Sequence, residues 1–133
     1  MSIHKTESEL FAARIAPWYS VYNAAAAADF YKAAFDAAEL YRLEEDNGKL
    51  AVAHLSIKGA DFWIQDDPDC SPERVGSGTV RMILTVDDPD ALFEQALAAG
   101  AAEIAPISEG HGWRIGRIAD PFGYHWEIGN PLR

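Results

Sequence analysis

The chain has 133 residues, 49% of them hydrophobic and 11% aromatic, which is the size of one domain with enough apolar material for a core. Its 21 acidic against 11 basic residues give a formal charge of −10, which repels phosphate backbones and argues against a nucleic-acid partner. No apolar run approaches the roughly 18 residues of a membrane span, MSIHKTESELFAAR lacks the apolar core of a signal peptide, and the lone Cys70 has no internal disulfide partner, so a cytoplasmic protein without membrane contact is expected.

The first predicted strand is PWYSVY, residues 17–22. Asn23 is a good helix N-cap, and the five alanines that follow it lead into Ala27, Phe30, Tyr31, Ala34 and Phe35, the spacing of one helix face. Three strand-like segments come next, AELYRLEE, LAVAHLSIKG and DFWIQ, with Asn47-Gly48 marking a hairpin turn between the first two. DDPDCSPE reads as an acidic loop whose carboxylates raise the Cys70 pKa rather than activate the thiol. Gly76-Ser77-Gly78 reads as a linker.

The order then repeats. TVRMILTV, residues 79–86, predicts a strand, and Asp88-Pro89 predicts a capped helix start. Leu92, Phe93, Ala96 and Leu97 form the apolar stripe, and Gly100 ends the helix. AEIAPIS, RIGRIA and YHWEIG follow as strands, the last two joined by Asp-Pro-Phe-Gly, where Asp120 fixes the turn through its side-chain acceptor. At one offset, close to half the chain, Ala37-Ala38-Glu39-Leu40 falls on Ala101-Ala102-Glu103-Ile104, and Phe62-Trp63-Ile64 falls on Trp126-Glu127-Ile128. The chain therefore predicts an α+β fold of two tandem βαβββ modules in a single domain, module one about 14–75 and module two about 78–131.

The pattern closing in DPFGYHWEI resembles the vicinal oxygen chelate superfamily of glyoxalases, bleomycin-resistance proteins and extradiol dioxygenases, and ADFYKAAF with GRIADPFGYHWEIG resembles its PhnB-like subgroup. The resemblance implies paired modules whose curved sheets form a cavity for a small molecule, commonly in a homodimer. In metal-dependent members it implies four ligand positions, which fall here on Ala16, Trp63, Arg81 and Glu127. Only Glu127 is a residue a divalent cation accepts. The expectation is therefore no tightly held metal in the usual place, with the Arg81 guanidinium supplying positive charge there and pairing with Glu127.

Strand alternation extends the cavity list. His125 shares a face with Glu127; Trp63 brings Gln65 and Asp61; Trp18 and Ser20 share one entry strand, and Ile83 and Thr85 follow Arg81 on the other. His54 lies on the mixed face of LAVAHLSIKG, and EGHGW places His111 and Trp113 in a loop over the cavity mouth. His4 lies in the tail outside both modules. The candidate catalytic residues are Glu127, Arg81 and His125; the candidate ligand-binding residues are Trp18, Ser20, His54, Trp63, Gln65, Thr85 and Trp113. The aromatic faces suit a flat or cationic ligand, and Arg81 an anionic or carbonyl-bearing one. Binding alone, a drug-sequestering resistance role, proton abstraction by Glu127 beside Arg81, and a divalent metal at His54, His125 and Glu127 all stand as readings of this set.

Overall fold

The computed structural model describes residues 12–75 and 80–133; the Gly76–Gly78 linker and His4 lie outside the described residues. Strand β1 (Trp18–Val21) leads into helix α1 (Ala24–Phe35), then β2 (Ala38–Glu44), β3 (Leu50–Ile57) and β4 (Ala60–Asp66). A one-turn helix α2 (Pro72–Val75) precedes β5 (Arg81–Thr85), helix α3 (Pro89–Ala99), β6 (Ala102–Gly110), β7 (Trp113–Ala119) and β8 (His125–Pro131). Apart from α2, this is the βαβββ order read twice from the sequence.

Each module forms one mixed four-stranded sheet, ordered β1-β4-β3-β2 and β5-β8-β7-β6. The entry strand of each lies parallel to the module's last strand, and the remaining pairs are antiparallel hairpins. Local chemistry sets the ends of both long helices. Asn23 accepts a hydrogen bond from Ala26 N at 3.0 Å and Asp88 accepts one from Ala91 N at 3.1 Å, filling orphan donors of the first turns. Asp66, at the end of β4, accepts from Ala24 N at 2.8 Å and pairs with Lys49, which ties the sheet to the start of α1.

Both helices bury their apolar stripe against one side of a sheet. On α1 that stripe is Ala24, Ala27, Ala28, Phe30, Tyr31, Ala34 and Phe35; on α3 it is Leu92, Phe93 and Ala96. Full burial of a side chain the size of Phe35 contributes about 2–3 kcal/mol. The core is continuous between modules: Tyr31 packs on Phe62 of β4 and on Trp126 of β8. Both helix-covered sides thus turn toward a common interior, and each sheet keeps a helix-free face.

The DPFG turn is docked as well as tight. Asp120 accepts from the amides of Phe122 and Tyr124 at 2.9 and 3.0 Å, the turn-fixing role expected of it. Gly123 has φ of 96°, and a Cβ there would lie 2.9 Å from the Pro72 carbonyl oxygen on α2. Only glycine meets both demands.

Candidate functional site

The helix-free face of the first sheet carries one aromatic ring on every strand at one level. Register aligns Tyr41 with His54, His54 with Trp63, and Trp63 with Trp18. The His54 ring lies parallel to Trp63 at 3.9 Å, Trp63 stacks on Trp18 at 5.7 Å, and Tyr41 leans toward Trp63 at 6.3 Å. The row is held by its neighbours. Trp18 Nε1 donates to Gln65 Oε1 at 2.7 Å, and Gln65 Nε2 donates to Ser20 Oγ at 3.0 Å. His54 Nε2 lies 3.0 Å from Asp61 Oδ2, which Arg14 also approaches at 3.6 Å. Trp18 and Tyr41 nevertheless remain 54% and 50% exposed. Large rings left in water yet pinned in place form a ready surface for another flat group.

The equivalent level of the second sheet has different chemistry. Its register aligns Ile83, Glu127, Arg117 and Ala105, where the first sheet has Trp18, Trp63, His54 and Tyr41. Arg81 Nε forms an ion pair with Glu127 Oε2 at 2.9 Å, the pairing expected from the sequence, and Arg117 Nη2 reaches the same oxygen at 3.5 Å. His125 shares this face and lies opposite Arg81 in register; its Nδ1 is buried without a hydrogen-bond partner among the described residues.

The two faces meet at one edge. A cavity of about 910 Å³ is lined by His54 and Trp63 from the first module, by Arg81 and Ile83 from the second, and by Phe62 and Trp126 from the core. A smaller pocket of about 300 Å³ brings His111 and Trp113 together with Ile83 and Glu127. The turn over this pocket is formed by His111 and Gly112, both at positive φ. Thr85 is exposed at the far end of β5, outside both cavities.

The single pocket expected from strand alternation is therefore divided into a π-rich sheet and an ionic one. Of the alternative metal set, His54 stands on the first sheet and His125 and Glu127 on the second. Among the described residues no three His, Cys, Asp or Glu side chains gather as a metal group. Cys70 is not an activated thiol: burial, with Asp67 beside it, pushes its pKa up.

Two site residues escaped the sequence reading. Tyr41 was hidden by a bulge between Glu39 and Tyr41, which turns Glu39 toward Lys32 of α1 and Tyr41 to the open face. Arg117 was legible in principle. Once the DPFG turn pairs Ala119 with His125, counting two residues along each strand sets Arg117 opposite Glu127.

Comparison with known proteins agrees with this architecture. The glyoxalase-like domain model matches residues 18–129, the span of both modules. The chain belongs to the glyoxalase-like domain family. An uncharacterized protein of Mycobacterium tuberculosis, Rv0887c, is 39% identical over 98% of this chain and 84% of its own length. TioX from Micromonospora shares the fold with a TM-score of 0.72 at 23% identity, covering 91% of this chain and all of that one. A PhnB protein from Bacillus cereus does so with a TM-score of 0.69 at 19% identity, covering 91% of this chain and 100% of that one.

The superfamily's metal positions can be tested against this glyoxalase-like domain. Ala16 offers no donor atom, the Trp63 indole has no lone pair to give, and Arg81 is a permanent cation. The one remaining ligand, Glu127, has its Oε2 engaged by that cation at 2.9 Å. These four residues do not fit a divalent ion.

Proposed function

We propose that this glyoxalase-like domain binds a small planar organic molecule against the row Trp18, Trp63, His54 and Tyr41, and holds it without turnover. A cytoplasmic homodimer with no resident metal is part of the same reading. The observation that carries it is the unbroken aromatic row across all four strands of a sheet face that no helix covers. A dimer gives that open face a cover, and edge strands β1 and β5 each keep one side unpaired within their sheet.

Titration with acridine, followed by tryptophan fluorescence, tests the reading. Saturable quenching with one site per chain, weakened by roughly tenfold or more in Trp63→Ala, is the expected result. Quenching unchanged in Trp63→Ala overturns it.

A second reading makes the protein an enzyme, with Glu127 taking a proton next to a carbonyl and Arg81 stabilising the resulting oxyanion. The contact between these two side chains favours it. Turnover of a carbonyl substrate that disappears in Glu127→Gln, with binding retained, is its signature.

A further inference from the structure

Away from the helix-free face of the second sheet, two arginines are each surrounded by excess carboxylate. Arg42 is shared by Glu39 and Glu44, and Arg114 by Asp90 and Glu109. On the helix-free face of the second sheet the ratio is inverted: two guanidiniums, Arg81 and Arg117, share the single carboxylate of Glu127. Register places no other carboxylate of the described residues on that face. In a chain of formal charge −10 this is a local surplus of one positive charge.

The donors are also underused. The Arg81–Glu127 contact is an ion pair without hydrogen-bond alignment, and Arg117 contributes one long bond of 3.5 Å. Among the described residues no other acceptor is bonded to either guanidinium, while the two side chains are 42% and 27% exposed. Guanidinium forks match the paired oxygens of a carboxylate or phosphoryl group. Glu127 Oε2 already lies where an oxyanion oxygen reaches both cations.

We propose that Arg81 and Arg117 form an oxyanion subsite, for a carboxylate or a phosphoryl group of a small ligand, and that Glu127 is its internal occupant. Glu127 keeps the two guanidiniums positioned and competes with the ligand for them. The subsite lies on the other sheet from the aromatic row, and Arg81 lines the same cavity as His54 and Trp63.

The test is an NMR titration of the full chain, reading the arginine Nε–Hε resonances, with acetate and with methylphosphonate at constant ionic strength and with chloride as control. The expected result is saturable shifts at Arg81 and Arg117 that chloride does not reproduce. Whichever anion binds more tightly names the class. Arg81→Gln and Arg117→Gln should each weaken binding about tenfold. Glu127→Gln should tighten it by about the same factor, since the competing charge is gone and the side-chain volume is kept. Should Arg117→Gln fail to fold, Arg117→Lys, which keeps the charge and loses the fork, should bind at an intermediate strength. Shifts that are linear and matched by chloride overturn the proposal, as does an anion affinity that Glu127→Gln lowers or leaves unchanged. The acridine titration reads the aromatic row through Trp63 and the NMR titration reads Arg81 and Arg117, so each reading has its own measurement and fails on it.

Discussion

Tyr31 on α1 donates its hydroxyl proton to Asp120 Oδ2 at 2.6 Å, fastening the helix of one module to the turn of the other. Tyr19 donates in turn to the Tyr31 oxygen at 2.9 Å, and Trp126 Nε1 donates to the same Asp120 oxygen at 2.9 Å. Tyr31→Phe removes one donor from a buried carboxylate and one acceptor from Tyr19. A loss of about 1–3 kcal/mol is expected in urea denaturation, because the groups left behind stay buried without partners. A loss indistinguishable from zero would place the connection between modules elsewhere.

The same carboxyl gives stability a pH dependence of definite sign. Burial pushes the Asp120 pKa up, although Tyr31, Trp126 and the Tyr124 and Phe122 amides favour the anion. The folded state therefore holds that proton more tightly than the unfolded chain, where aspartate titrates near about 3.9. Its contribution is complete below that value and is lost as pH rises through the folded value. Glu39 has the opposite sign. Arg42, then Lys32, pull its carboxyl down from 4.5 to about 2, so its contribution is present above 4.5 and is lost as pH falls toward 2. In urea melts across this range, Asp120→Asn should remove the decline above about pH 4, and Glu39→Gln the rise below it. Wild-type slopes in both variants would refute the assignment.

Trp63 is the residue on which the aromatic row depends, because it touches the rings on both neighbouring strands and Tyr41 as well. Each aromatic contact is worth about 0.5–1.5 kcal/mol beyond buried area. Trp63→Ala should therefore weaken acridine binding by roughly tenfold or more. Tyr41→Ala, at the end of the row, should weaken it less, and the order of the two effects is readable in a single set of fluorescence titrations.

Gly116 on β7 lies beneath α3, and a Cβ there would come within 2.7 Å of the Phe93 ring and 3.0 Å of the Ile107 amide nitrogen. Gly116→Ala should cost about 1–3 kcal/mol through overpacking, visible as a lower urea midpoint. Gly129→Ala should cost at least as much, since its Cβ would meet the Arg114 carbonyl oxygen and the Ile115 side chain.

The helices and strands were readable because their signals are local. Asn23 and Asp88 cap, Gly100 terminates, and apolar residues recur at helical spacing, with no distant contact required. The site was less so. Trp63, His54, Arg81 and Glu127 were each identified by strand alternation, yet which of them share a sheet depends on the pairing of modules. Alternation says which side of a strand a residue occupies and nothing about its partner across the ladder. Tyr41 was lost to a bulge, an extra residue that no alternating pattern announces. The Tyr31–Asp120 bond joins residues 89 positions apart, and Asp120 alone looked like a turn residue.

Because the modules meet through their helix-covered sides, the layers that keep the chain folded and the open faces proposed to hold a ligand share few residues. Exchanging Trp63 and His54 for the glutamate and arginine at the matching places of the second sheet would alter chemistry on an open face and leave the interior alone. Such a scaffold can acquire new specificities by small edits, one sheet at a time, while the other sheet is left unchanged.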